Sequence, residues 1–187
     1  IRTNNVDELR VKSSSGMSFA GSVCTMFDEW EGKQLLQKFG LNVPKGLMAN
    51  TAEVPELAKK LGFPVVVKMI GNNLEHKTDA GAIALNLSSC EEVEIAVDRM
   101  KKDVYLYDSK AVSEKFLVEK MLERPIAELL VNVRTDSQFG MVMTMAAGGI
   151  LTELLNDAIT ILLPTNRNDL EYALNSLKIS KLFGFMF

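Results

Sequence analysis

The stretch Phe63-Pro64-Val65-Val66-Val67-Lys68-Met69-Ile70, bounded by Gly62 and Gly71, constrains this chain most. Three consecutive valines are stiff at χ1 and suit a pleated, half-buried surface better than a helix, so the run reads as a buried strand. Lys68 breaks its apolar character. Lysine is almost never fully buried without a partner, and an unpaired buried ammonium is very costly. Two readings remain at this point. Lys68 occupies an edge position with its ammonium snorkelling to water, or it is a strand lysine aimed into a cleft, where it meets a phosphate as a point charge.

Helices and further strands flank this run. Asp28 can cap a helix from about Glu29 to Phe39, with Trp30, Leu35, Leu36 and Phe39 near helical spacing and Gly40 as its stop. Pro44-Lys45-Gly46 reads as a turn. Thr51 can cap a second helix ending near Leu61, before Gly62. Ala82 to Leu87 is a second strand, and Ser89 with Glu92 forms a capping box for a helix reaching about Lys102. Phe116–Met121, Ala127–Thr135, Met141–Ala146 and Ile159–Leu163 read as further strands, and Asn168 opens a last helix. Helices mixed with close-set strands define an α+β (or α/β) chain rather than a bundle. The methionines of Met141-Val142-Met143-Thr144-Met145 are expected in a strand core rather than on a binding surface.

A length of 187 residues is enough for one domain or one two-lobed unit with a sizeable core. With 47% hydrophobic and 24% charged residues, the chain is neither disordered nor a disulfide-stapled miniprotein. A net charge of −3 offers no basic excess for phosphate-backbone binding, so no nucleic-acid partner is expected. No apolar stretch is long enough for a bilayer span, so no membrane partner is expected either. Cys24 and Cys90 make no CxxC pair and read as free thiols of a reducing compartment; with no signal-peptide pattern, the expected location is the cytoplasm. His76 is the sole histidine, which excludes zinc sites of the His₂ or His₃ type.

Four groups carry candidate chemistry. Lys68 is the first. The second is Glu75-His76-Lys77-Thr78-Asp79-Ala80-Gly81 between two strands. Such a loop can close over phosphates with backbone N–H groups, a lysine and a hydroxyl, or it is a solvated hairpin. His76 beside Lys77 would tend to be neutral, the form needed for attack on phosphorus. Glu119 and Glu128, at the end of one strand and the start of the next, form the third; they can hold a ribose hydroxyl or a metal ion, or be plain exposed strand ends. The fourth is Gly148-Gly149-Ile150 with Glu153 and Asp157, whose spacing would put both carboxylates on one helix face, as magnesium ligands or as solvated charges.

The order of these blocks identifies the chain. The helix runs into Gly40-Leu41-Asn42-Val43-Pro44. Then follow Leu61 to Lys68, His76 to Gly81, Leu117-Val118-Glu119-Lys120-Met121, Glu128-Leu129-Leu130-Val131, Asp136 to Gly140 and Gly148 to Glu153. This set, over roughly residues 28–187, resembles the ATP-grasp domain of the NDP-forming (ADP-forming) acyl-CoA synthetases. More distantly it is similar to the β subunit of succinyl-CoA synthetase. The resemblance implies a two-lobed α+β fold with nucleotide held between lobes. It implies that Lys68 lies on the ATP phosphates, with His76, Lys77 and Thr78 in the phosphate-covering loop. Glu119 and Leu122 would form the hinge around adenine and ribose, with Glu128 the carboxylate opening the next strand. The implied reaction is acyl-CoA + ADP + phosphate ⇌ acid + CoA + ATP, a ligase forming carbon–sulfur bonds. Acyl phosphate and phosphohistidine are its intermediates, and His76 matches a proposed catalytic phosphate relay. The implied cofactors are ATP/ADP and magnesium, and the implied partner is the CoA-ligase region or subunit of the same enzyme.

Residues 1–26 are expected to be a linker or tail, and 27–187 a partial ATP-grasp domain. Its smaller lobe would span about 41–115, and its larger lobe 27–40 plus 116–187. The apolar end Phe183-Gly184-Phe185-Met186-Phe187 suggests truncation inside a larger protein, with the larger lobe incomplete. Family members usually continue into a Glu-Ile-Asn-Pro segment and a strand that hold the magnesium, so no metal ligand is assigned here. Gly81-Ala82 stands where the family usually has two glycines, and the extra Cβ can tighten or push back the loop. The fragment alone is expected to be inactive in acyl-CoA formation. Two alternatives accompany this expectation: an ATP-grasp-like regulatory module of a lysine acetyltransferase, and a non-catalytic fragment.

Overall fold

A computed structural model describes residues 27–71, 74, 76–149 and 156–183. The linker or tail at 1–26 with Cys24, Glu75, the segment Ile150 to Glu153 and the end Phe185 to Phe187 lie outside the described residues. The described residues form two compact units, one ending at Lys120 and the other beginning at Met121.

The first unit opens with α1 (Glu29–Lys38). Asp28 accepts from Glu31 N at 2.8 Å, and Glu31 accepts from Asp28 N at 3.0 Å, a complete capping box. Glu29 and Glu31 in the first turn and Lys38 in the last suit the helix dipole. Gly40, at φ +82°, ends the helix. The expected turn at Pro44-Lys45-Gly46 leads straight into β1 (Gly46–Asn50), a strand the sequence pattern did not reveal. Thr51 does not cap a helix. It starts a 3₁₀ turn (Thr51–Glu53), and its hydroxyl bonds the Glu114 carboxylate. Helix α2 (Val54–Leu61) follows, with Pro55 in its first turn, and β2 (Val65–Met69) comes next.

β3 (Ile83–Leu87) leads to α3 (Cys90–Tyr107). Ser89 accepts from Glu92 N at 3.1 Å, while the Glu92 carboxylate accepts from Ser88 N rather than Ser89 N. The helix continues past the expected end at Lys102 because its buried stripe, Val93, Val97, Met100 and Val104, continues too. β4 (Lys115–Lys120) completes a four-stranded sheet of order β1-β4-β2-β3, antiparallel at every junction. The strand expected to open the larger lobe is therefore a central strand of the first sheet.

That sheet has two distinct faces, because side chains alternate along each strand. Val65, Val67 and Met69 of β2 and Phe116 and Val118 of β4 join Val54, Ala58, Val93, Val97 and Val104 of the helices in one buried core. Ala82 is fully buried in it, so the Cβ that distinguishes Gly81-Ala82 from a glycine pair is accommodated by core packing. The opposite face carries Val66 and Lys68 of β2 with Leu117 and Glu119 of β4.

The second unit is an antiparallel meander, β5 (Leu129–Asp136), β6 (Gly140–Ala147) and β7 (Ala158–Leu162). Asp136 turns the β5–β6 hairpin, accepting from Gln138 N and Phe139 N at 3.0 and 3.2 Å; these backbone bonds hold its carboxyl below the usual range. Helix α4 (Arg167–Ser176) starts at an Asn166 cap. Its Ala173 packs with Met145, Ala147, Leu177 and Ile179. Met143 and Met145 lie in or against this core, as expected of strand methionines, while Met141 is exposed. Glu153 is outside the described residues, and Asp157 lies in no helix. It is buried just before β7, and its carboxylate accepts from Ile179 N at 2.9 Å.

Candidate functional site

Register in the first sheet decides where the strand lysine meets its partners. Val66 pairs with Glu119 and Lys68 with Leu117 across β2 and β4. Residues directly opposite share a face, so Lys68 and Glu119 are diagonal neighbours on one side of the sheet, within reach of long side chains. Lys68 donates to Glu119 Oε2 at 2.9 Å and to Glu29 Oε1. β2 is an interior strand of the sheet, so Lys68 holds no edge position, and its ammonium is held by two carboxylates.

Gly46 makes room for this arrangement. It pairs with Glu119 across β1 and β4, and a Cβ there would lie 2.9 Å from Glu119 Cγ. Glu119 is only 3% exposed, so it is no solvated strand end. A buried carboxylate needs partners, and it has two, Lys68 and Lys33, the latter at 2.5 Å.

Helix α1 supplies the rest. Glu29 and Lys33 are one turn apart and pair at 2.8 Å. Lys77, from the loop between β2 and β3, donates to Glu29 Oε2 at 3.1 Å. The loop is folded back on itself: Ala82 N donates to Lys77 O at 2.8 Å and Ala80 N to His76 O at 3.0 Å. Three ammoniums and two carboxylates thus alternate in one cluster. Burial alone would raise the Glu29 carboxyl, but bonds from Lys33, Lys68 and Lys77 outweigh it and bring it from 4.5 to about 2. Burial would likewise lower Lys68, and its bonds to Glu29 and Glu119 instead hold it above its ordinary value.

Of the residues singled out from sequence, Lys68, Lys77 and Glu119 come together. His76 and Thr78 flank Lys77 in the loop, with both side chains exposed. Leu122 and Glu128 belong to the second unit. There Glu128 borders a concavity of about 330 Å³ with Arg124, Pro125, Ile126, Gly148 and Gly149. Gly148 N donates to Glu128 O at 2.7 Å. Gly149 sits at φ +64°, and a Cβ there would run into the Glu128 carboxylate. Two members of the cluster, Glu29 and Lys33, went unread in the sequence. Their spacing of four looks like any exposed helix pair.

A strand lysine, Lys68, and a loop lysine, Lys77, thus meet on the Glu29 carboxylate, beside the buried Glu119. The ATP-grasp domain family matches residues 21–185, and the chain belongs to that family. Among curated relatives, it is 34% identical over 155 residues to a 4-hydroxybutyrate–CoA ligase [ADP-forming] of Nitrosopumilus maritimus, covering 82% of this chain and 22% of that protein. It is 31% identical to the acetate–CoA ligase [ADP-forming] II subunit beta of Pyrococcus furiosus, covering 82% of this chain and 65% of that subunit. Among solved structures, it is similar to a dinucleotide-forming acetyl-coenzyme A synthetase 1 of Ca. Korarchaeum cryptofilum, determined with coenzyme A, Ca-AMPCP and HgCl⁺. The TM-score is 0.78 at 29% identity, over 86% of this chain and 70% of that one. The chain therefore spans about a fifth of the first of these relatives and about two thirds of the second.

Proposed function

We propose that this chain is the nucleotide-binding ATP-grasp portion of an ADP-forming acyl-CoA synthetase, acting as part of a larger ligase. The observation that carries this reading is the convergence of Lys68 and Lys77 on a single carboxylate. Two ammoniums held that close form a binding point for phosphate oxygens. The names of the curated relatives support the ligase reading over an acetyltransferase module.

In this reading Lys68 and Lys77 neutralise charge on the nucleotide phosphates, and Thr78 with the loop backbone closes over them. Phosphoryl transfer is mostly positioning and electrostatics, so these residues supply much of what the step needs. His76, exposed beside Lys77, takes the phosphoryl group on an imidazole nitrogen as ADP departs with the electron pair, and passes it on toward the CoA-ligase region or subunit. Glu119 holds Lys68 in place from the neighbouring strand. The partners are nucleotide and that ligase region, in the cytoplasm. No described helix is long and apolar enough to cross a membrane. Magnesium accompanies the nucleotide, as in a solved relative holding Mg-AMPPCP. Among the described residues no three His, Cys, Asp or Glu side chains converge on one point, and magnesium carried on nucleotide phosphates needs only one or two protein carboxylates.

Thermal unfolding with Mg-ATP or Mg-ADP tests the reading. Ligand that binds only the folded state stabilises it by about 2.7 kcal/mol at a hundredfold excess over Kd. The expected result is a rise in Tm for the wild type that Lys68→Ala abolishes. No rise at millimolar nucleotide, or an equal rise in Lys68→Ala, refutes it.

A further inference from the structure

We infer that Glu29 is a positioning residue, which sets the ammoniums of Lys68 and Lys77 at one point so that they receive a nucleotide phosphate together. This rests on the nucleotide reading above.

The two lysines come from different elements. Lys68 is on a strand in the middle of the sheet, and Lys77 is on a loop. Like charges repel, so two ammoniums do not converge unless a counter-charge joins them. Glu29 joins them: its Oε1 takes Lys68 and its Oε2 takes Lys77. Glu119, the other carboxylate of the cluster, reaches Lys68 and Lys33. Lys33 in turn bridges Glu29 Oε1 and Glu119 Oε1, which lets the two carboxylates lie close without repelling.

Donor arithmetic leaves the lysines able to act. An ammonium has three N–H donors. Lys68 spends two on carboxylates, which fix the position of its nitrogen, and the third remains for a ligand oxygen. Three ammoniums against two carboxylates leave the cluster one positive charge in excess, so an anion is still attracted. Groups already placed lose less freedom when ligand arrives, which raises affinity without any new contact.

The helix is suited to this task rather than to core packing. Helix α1 fully buries none of its side chains, yet the side chains of Glu29 and Lys33 are only 26% and 18% exposed. Glu29 is its first residue, directly after a capping box that fixes the backbone there. With its carboxyl brought down to about 2, Glu29 is ionised at every working pH.

Calorimetric titration of the full chain with Mg-ADP tests the inference, using Glu29→Gln, Glu29→Asp, Lys77→Gln, the Glu29→Gln/Lys77→Gln pair and Lys68→Ala. Hydrogen bonds to charged groups are strong enough that Glu29→Gln is expected to weaken Mg-ADP by about tenfold or more. Glu29→Asp, which keeps the charge, is expected to recover part of that loss. Because Glu29 acts through Lys77, its loss in the Lys77→Gln background is expected to cost far less than in the wild type. A purely structural role would lower Tm but leave the Mg-ADP affinity of the folded variants unchanged, with no such coupling in binding. If Lys68→Ala abolishes binding while Glu29→Gln binds as tightly as wild type, or tighter, the inference fails and the nucleotide reading stands. If wild type itself does not bind, both fail. Should Glu29→Gln not fold by circular dichroism, Glu29→Asp decides: weaker binding supports the inference, and unchanged binding overturns it.

Discussion

Glu29 titration gives a test of the charged cluster that needs no ligand. Its carboxyl falls from 4.5 to about 2 in the folded chain. A depressed carboxyl stabilises the fold fully above the unfolded value and loses that contribution as pH falls toward the folded value. The full contribution is about 3 kcal/mol, and about 2 kcal/mol of it is gone by pH 3. Gln cannot ionise, so Glu29→Gln lacks this contribution at every pH. The difference in unfolding free energy between wild type and Glu29→Gln is therefore expected to shrink from about 3 kcal/mol at pH 7 to about 1 kcal/mol at pH 3. Carboxyls that share no lysine with Glu29 titrate alike in both proteins and cancel in the difference. Urea unfolding followed by Trp30 fluorescence suits the measurement, because the single tryptophan sits next to Glu29 on α1. A difference that stays constant from pH 7 to pH 3 would show that Lys33, Lys68 and Lys77 do not hold Glu29 ionised, and the cluster would lose its electrostatic basis.

Two further outcomes test the framework around the sites. Phe116 is fully buried on the central strand β4, so Phe116→Ala is expected to cost about 3–5 kcal/mol, read as a lower urea midpoint of the Trp30 transition. Gly149→Ala places a side chain at φ +64° and against the Glu128 carboxylate. The left-handed backbone alone costs about 1–2 kcal/mol. Faster hydrogen exchange is expected at Gly148 N, which bonds Glu128 O, with the first sheet unaffected.

Much of the fold was legible because local rules and packing agree here. Asp28, Ser89 and the glycines Gly40 and Gly62 mark element ends where the structure has them. The valine run is a strand because nothing else suits three β-branched side chains in succession. Where local signals conflict, packing prevailed. Helix α3 outruns its expected end because Val104 has a core to enter. β1 is short and glycine-led, and β4 recruits it by pairing, which no local pattern announces. Asp157 reads as half of a helical carboxylate pair, yet it serves a buried backbone N–H, because a partner twenty-two residues away is invisible to spacing rules.

The candidate site divides the same way. The sequence by itself determined that Lys68 interrupts an apolar strand, so that its ammonium must reach either water or a partner, since desolvating a lone ammonium is prohibitive. It also determined that Lys77 lies in a polar loop next to His76. Only the tertiary structure decided who the partners are. A one-residue change of register between β2 and β4 would send Lys68 and Glu119 to opposite faces of the sheet. Glu29 and Lys33, an ordinary helix pair on paper, become the link between strand and loop because α1 presents them to that face. Charges act through space over a few ångströms, and only the folded chain sets which of them fall within that reach.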